Sequence, residues 1–138
     1  MGSPTNGRPG VSGEGVLLDS VILIDHLNGV DRATDYIRSV GVLGFVSAIT
    51  RAEVLSGVQP PRSSPVRALL DALPLVVIDA PVADLAAELR RSFRWRFPDA
   101  IQAAAAIHHG LKLATRNTKD FPPRRHDFVV VPYELHRR

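Results

Sequence analysis

From Val16 onward, short apolar runs alternate with stretches of helical spacing, and this alternation constrains the fold most. Val16-Leu17-Leu18 reads as a buried strand ending at Asp19. Ser20 caps a helix through about Leu27, closed by Asn28-Gly29. Asp31 caps a second helix that carries Ala33, Tyr36, Ile37 and Val40 on one face and ends at Gly41. Residues 43–46 form a second strand, followed by a helix over about 49–56 that Gly57 ends. After a Pro-rich loop over 59–64, Ser64-Pro65 starts a helix, with the cap followed by proline at the first position. Residues 75–78 form a third strand, and Pro81 opens a helix to about Phe93. Phe97-Pro98 breaks the chain before an Ala-rich helix over 99–109, closed by Gly110. Strands over 112–115 and 128–131 complete the series. Strands alternating with helices predict an α/β fold, with a central, mainly parallel sheet of about five strands covered on both faces.

The chain has 138 residues, 45% of them hydrophobic, which suits one domain with a single sizeable core. Residues 1–15, rich in Gly, Ser, Pro and Asn, have almost nothing to bury and read as a disordered leader or tag, leaving 16–138 as the domain. No apolar run approaches the ~20 residues of a spanning helix. The N-terminus also lacks the apolar stretch of a signal peptide. The absence of cysteine excludes disulfides, thiolate metal sites and a cysteine nucleophile, and fits a cytoplasmic location. A net charge of +3 is compatible with an anionic partner such as nucleic acid without requiring one.

The placement of the acids is the informative feature. Asp19 sits at the carboxyl end of strand one, and Glu53 in the opening turns of the helix after strand two. Asp99 starts the helix before strand four, and Asn117 and Asp120 lie in the loop after it. Ligands of open parallel sheets bind outside the carboxyl ends of the strands, where strand order reverses. With strands one, two and four as neighbours there, these side chains converge. Carboxylates gathered in one cleft repel each other unless a cation neutralises them. An all-oxygen donor set favours the hard ions Mg²⁺ and Mn²⁺. Such an ion activates water and binds a scissile phosphate, and a second can stabilise the leaving oxygen. The chemistry supported is phosphodiester hydrolysis.

Each acid also has a local reading. Asp19 can begin a turn, and Thr50-Arg51-Ala52-Glu53 fits a capping box. Asp99 can offset the positive end of its helix dipole, and Asp120 can cap a turn. Four such placements at one edge of the sheet favour the functional reading.

At these residues the sequence resembles the PIN-domain nucleases, and among them the VapC toxins. Leu17-Leu18-Asp19-Ser20-Val21-Ile22-Leu23-Ile24-Asp25 resembles the family's opening strand and first acid, with a hydroxyl residue next. Ser47-Ala48-Ile49-Thr50-Arg51-Ala52-Glu53-Val54-Leu55-Ser56-Gly57 resembles its second-acid segment. Phe97-Pro98-Asp99-Ala100-Ile101-Gln102-Ala103-Ala104-Ala105-Ala106 resembles the third-acid helix, and Leu113-Ala114-Thr115-Arg116-Asn117-Thr118-Lys119-Asp120-Phe121 the fourth segment. Together, in order, they span Val16 to about Pro132. The resemblance implies a three-layer sandwich, RNA as substrate, Mg²⁺ or Mn²⁺ as cofactor, a homodimer, and a cognate antitoxin that blocks the site. It implies Asp19, Glu53, Asp99 and Asp120 as catalytic metal ligands, with Ser20 and Asn117 supporting them. Two positions depart from the family pattern. Val21 stands where members often carry Asn or Ser, and Asn117 stands where many carry Asp. The second departure leaves Asp120 to supply the fourth carboxylate. Asp25 is expected on the first helix, solvated and without a catalytic role.

Arg90, Arg91, Arg94 and Arg96 surround Phe93 and Trp95 just before Asp99. Arg94 and Arg96 are candidates to hold RNA phosphates, as is Arg116 in the fourth segment. Trp95 either stacks on a base or packs, with Phe93, into the core or a dimer interface. Arg124, Arg125, Arg137 and Arg138 read as an exposed basic tail. His108 and His109 are adjacent on a helix, point apart, and suit the helix dipole rather than a metal. Gly-rich phosphate loops and nucleophile elbows are absent.

The rival readings are three. A PIN-fold binding module that has lost catalysis is favoured by Val21 and Asn117. A phospho-accepting receiver domain is suggested by Asp79 after strand three, but it needs paired acids after strand one and a Lys after strand five; Ser20 follows Asp19, and Pro132-Tyr133 follows Val131. A DNA-acting nuclease needs clamping elements for which this chain has little room.

Overall fold

The computed structural model describes residues 14–135. Residues 1–13 of the expected leader, and Arg137 and Arg138 of the expected basic tail, lie outside the described residues. The elements run β1 (Val16–Leu18), α1 (Ser20–Leu27), α2 (Asp31–Val40), a 3-10 turn (Gly41–Leu43), β2 (Gly44–Ser47), α3 (Ala48–Ser56), α4 (Ser63–Asp71), β3 (Leu75–Val76), α5 (Ala80–Phe93), α6 (Phe97–His108), β4 (Lys112–Ala114) and β5 (Val129–Val130). They form one sheet of order β3-β2-β1-β4-β5 in which every pairing is parallel.

Strand β1 is the hinge of this topology. The chain winds from β1 to β2 and β3 on one side, then returns to lay β4 and β5 on the other. Connections therefore diverge at the carboxyl ends of β1 and β4, the place where open parallel sheets bind their ligands. This is the expected neighbourhood of strands one, two and four.

The strands are apolar on both faces because both faces are covered. Leu17 points into a core with Val82 and Ala86 of α5 and Ala103 and Ala106 of α6. Its neighbours Val16 and Leu18 point the other way, into a core with Ile22, Ala33, Val54 and Leu70 from α1 to α4. The result is the expected three-layer α/β sandwich. Ala100 and Ala103 to Ala106 are fully buried, and residues that small let α6 lie close against the sheet and α5.

The differences from the sequence reading lie at element ends. Ser47, not a residue of the capping box, caps α3: its Oγ accepts from Thr50 N at 3.1 Å. Thr50 and Glu53 therefore lie inside the helix, and the capping-box reading fails. Helix α4 begins at Ser63 with no side-chain cap, so Ser64 lies within its first turn and does not cap it, and Pro65 follows in the same turn. Asp79 caps α5 through Val82 N, with Pro81 already in the first turn. Asp19 itself caps α1, and Val30 precedes α2 where Asp31 was expected to. Strand β2 starts one residue late because a 3-10 turn takes up Gly41–Leu43. Among the described residues no helix is long and apolar enough to cross a membrane.

Candidate active site

Asp19 leaves the end of β1, held there by a backbone bond from its N–H to Ala114 O at 2.9 Å. Both carboxylate oxygens have donors. Oδ1 accepts from the backbone N–H of Ser20 at 2.9 Å and from Gln102 Nε2 at 3.1 Å, and Oδ2 accepts from Thr115 Oγ1 at 2.6 Å. Thr115, just past β4, is fully buried.

Gln102 on α6 is the hub of this arrangement and is 2% exposed. Its Oε1 accepts from Ser47 Oγ at 2.6 Å, and its Nε2 also donates to Thr50 Oγ1 at 2.6 Å. One side chain thus ties the ends of β1 and β2 to α3 and α6. Buried polar groups persist in cores when their partners are present, and here the partners converge on Asp19. Sequence reasoning missed Gln102, Ser47, Thr50 and Thr115. The available signal was one amide within an otherwise apolar, Ala-rich helical run.

Asp99 lies in the first turn of α6, partly buried. Burial, first, and then the negative charges of Asp120 and Asp19 push its carboxyl above the usual range; Arg96 opposes this and Glu53 adds to it. The Arg96 contact is long, 4.0 Å, and the arginine is 86% exposed, so its relief is weak. Asp19, Glu53, Asp99 and Asp120 therefore share one electrostatic neighbourhood. Glu53 is the exposed member of the four.

Asp120 and Asn117 clasp each other. Asn117 Nδ2 donates to Asp120 Oδ2 at 3.0 Å, and Asp120 N donates to Asn117 Oδ1 at 3.3 Å. Asn117 N donates in turn to Thr115 Oγ1 at 3.0 Å, so Thr115 links this pair to Asp19. Trp95 Nε1 donates to the Asp120 carbonyl at 2.9 Å.

Among the described residues no group of three or more acids or histidines stands close enough together to hold a metal ion. Asp120 and Asp19 lie near enough to raise the Asp99 carboxyl, yet the acids do not form a ready metal cage. The donors these acids offer are all oxygen, the kind that hard divalent cations take.

Asp25 corrects an expectation. It is not solvated but 6% exposed, accepting from Arg116 Nε at 2.6 Å, Arg116 Nη2 at 2.8 Å and Tyr133 Oη at 2.7 Å. Its face of α1 packs under the loop after β4 and the C-terminal segment instead of facing water. The Arg116 hydrogen bonds, against the opposing effect of burial, hold its carboxyl below the usual range, with Tyr133 adding to them. Two of the three guanidinium nitrogens of Arg116 are committed to this pair. Arg94 and Arg96 are exposed. Trp95 is 6% exposed and stacks under Phe93, so of its two expected roles the packing one is realised.

The PIN-domain family profile matches residues 16–125. Among solved structures, a toxin-antitoxin complex from Klebsiella pneumoniae is similar at TM-score 0.82 and 34% identity, over 88% of this chain and 100% of that one. FitAcB from Neisseria gonorrhoeae is similar at TM-score 0.67 and 26% identity, over 87% and 99%. DNA-bound VapBC from Salmonella typhimurium shares the fold at TM-score 0.69 and 19% identity, over 78% and 90%. No curated protein matches the chain significantly.

Proposed function

The chain belongs to the PIN-domain family, and on that premise we propose that it is a metal-dependent ribonuclease acting as the toxin of a toxin–antitoxin pair. The observation that carries this reading is Asp99, a partly buried carboxylate repelled by Asp120, Asp19 and Glu53 at the topological switch of a parallel sheet. Asp19, Asp99 and Glu53, with Asp120, would hold Mg²⁺ or Mn²⁺, which when bound supplies Lewis acidity and charge neutralisation at a scissile phosphate. The chain's own work is positioning. Thr115 and Gln102 fix both oxygens of Asp19, and Asn117 aims Asp120. Arg94 and Arg96, exposed beside this edge, attract the phosphate backbone. The relative from Klebsiella pneumoniae is a toxin-antitoxin complex, which supports an antitoxin protein as partner here. A homodimer in the cytoplasm completes the reading.

A second reading, a binding module without catalysis, is favoured by the absence of a ready metal-holding group among the described residues. One experiment separates the two. Purified protein, free of antitoxin, is incubated with structured RNAs in Mg²⁺, in Mn²⁺ and in chelator, beside the Asp19→Asn, Asp99→Asn double variant. Metal-dependent cleavage that the variant lacks is the expected result. A folded protein that cleaves none of the RNAs, whether or not it binds the metal, supports the binding module instead.

A further inference from the structure

We propose that the cleft between the end of α5 and the loop after β4 is a subsite for one nucleotide of single-stranded RNA, next to the carboxylates; this rests on the ribonuclease reading above. The cleft has a volume of about 310 Å³, at the small end for ligand sites, and Phe93, Arg94, Lys119, Asp120, Arg125 and His126 line it. Asp120 connects it to the acids: Asn117 Nδ2 donates to Asp120, Asn117 N donates to Thr115 Oγ1, and Thr115 Oγ1 donates to Asp19. Two larger cavities, beside Tyr36 and Tyr133 and beside Ile107 and Phe128, are lined by none of the four acids.

Three observations select the ligand. The first is charge. Arg94, Lys119 and Arg125 face one concavity, and among the described residues none of them is in an ion pair. The one carboxylate on the wall, Asp120, is turned to Asn117. Unpaired cations around a recess suit a phosphate.

The second is the aromatic wall. Phe93 is 44% exposed, yet its inner face is fixed: it stacks on Trp95 with centroids 4.6 Å apart and planes 19° apart. Trp95 is itself anchored to the Asp120 carbonyl, and His126 meets Phe93 edge-on at 5.0 Å. A rigid ring supported from behind and open in front is a platform for a base. An acidic peptide would use the cations but leave that platform without a role.

The third is the backbone. Arg94 closes α5 in the left-handed conformation, φ 61°, the only non-glycine residue with positive φ among those described. Glycine is the ordinary residue there, because a Cβ in that conformation crowds the following carbonyl oxygen. Strain retained under a guanidinium at the rim of a cationic cleft points to a use for that guanidinium.

The test is binding of a fluorescent 2′-O-methyl RNA hexanucleotide, followed by anisotropy in chelator across a salt series, so that neither cleavage nor metal enters. Wild-type protein binds, and emission from Trp95, the only tryptophan of the chain, changes on binding. Arg94→Gly relieves the backbone and removes the cation, so its thermal midpoint holds or rises while affinity falls. Its log–log salt slope becomes shallower by about 0.7, the value for one phosphate contact on a single strand. Phe93→Leu keeps Trp95 covered but removes the π-face, and weakens binding about 5- to 150-fold, the range for one base–aromatic stack. Wild-type affinity in both variants overturns the subsite; if RNA cleavage still needs Asp19 and Asp99, the nuclease reading stands without it. Failure of the wild-type protein to bind the hexanucleotide also overturns the subsite, and the nuclease reading is then judged by metal-dependent cleavage alone. A polyglutamate peptide that loses affinity with Arg94→Gly, while the hexanucleotide does not, assigns the cleft to a protein partner and also overturns the proposal.

Discussion

Asp25→Asn removes the charge from a buried ion pair while keeping nearly the same volume, and its cost follows from the geometry. The carboxylate accepts three hydrogen bonds, two from Arg116 and one from Tyr133, and is 6% exposed. Breaking a fully buried pair by deleting one partner costs about 3–5 kcal/mol. Arg116 retains 30% side-chain exposure, so water can partly resolvate it, and an Asn oxygen keeps one acceptor. The expected loss is therefore about 2–3 kcal/mol, read by urea unfolding. Tyr133→Phe, which deletes one hydrogen bond and no charge, should cost about 1 kcal/mol. A double-mutant cycle of Asp25→Asn with Arg116→Met should return a coupling of at least about 1 kcal/mol. The pH dependence has a definite sign. Because the folded carboxyl titrates below its unfolded value, its contribution is present above the unfolded value of about 3.9 and is lost as pH falls through the folded one. The gap between wild type and variant should hold from neutrality to about pH 5 and close below about pH 4. A loss under about 1 kcal/mol, or additive single variants, would refute the claim that this pair ties α1 to the C-terminal segment.

Further expectations concern the acids and their supports. Gln102→Leu strands the hydroxyls of Ser47 and Thr50 and deletes one donor to Asp19 Oδ1, costing about 2–4 kcal/mol in unfolding assays. Below its melting range it should lower kcat for RNA cleavage more than it changes KM, because it positions a carboxylate rather than touching RNA. In chelator, Asp99→Asn should stabilise the protein by about 0.5–2 kcal/mol, since it removes a repelled carboxylate; calorimetry that shows a loss instead would contradict the shared field. The folded carboxyl of Asp99 titrates above its unfolded value, so its favourable contribution in metal-free wild type is present at low pH and is lost as pH rises through the folded value. Asp99→Asn should flatten that part of the pH–stability curve.

The layered architecture was legible because buried parallel strands are written as plain apolar runs, such as Val16-Leu17-Leu18, and amphipathic helices follow them. Helix starts were less legible. Ser47 and Thr50 are both plausible caps, and only the extent of β2 decides that Ser47 takes the role. The acids could be placed near one another because three of the segments that carry them begin or end next to strand ends. Their supports could not. Gln102 reaches Asp19, Ser47 and Thr50 across 83, 55 and 52 residues of chain, and Arg116 reaches Asp25 across 91. Pairings that distant depend on sheet order and leave no local periodicity. Asp25 in particular reads as a polar residue in a short helix until the loop after β4 is laid over it.

The proposed function places Asp19 and Asp99 in one divalent-cation site. Its decisive test is calorimetric titration of the purified chain with Mn²⁺, beside Asp19→Asn, Asp99→Asn and the double variant. The expected result is saturable binding by the wild type, weakening of at least about tenfold in each single variant, and no measurable binding in the double. Undiminished Mn²⁺ affinity in a folded double variant would contradict it.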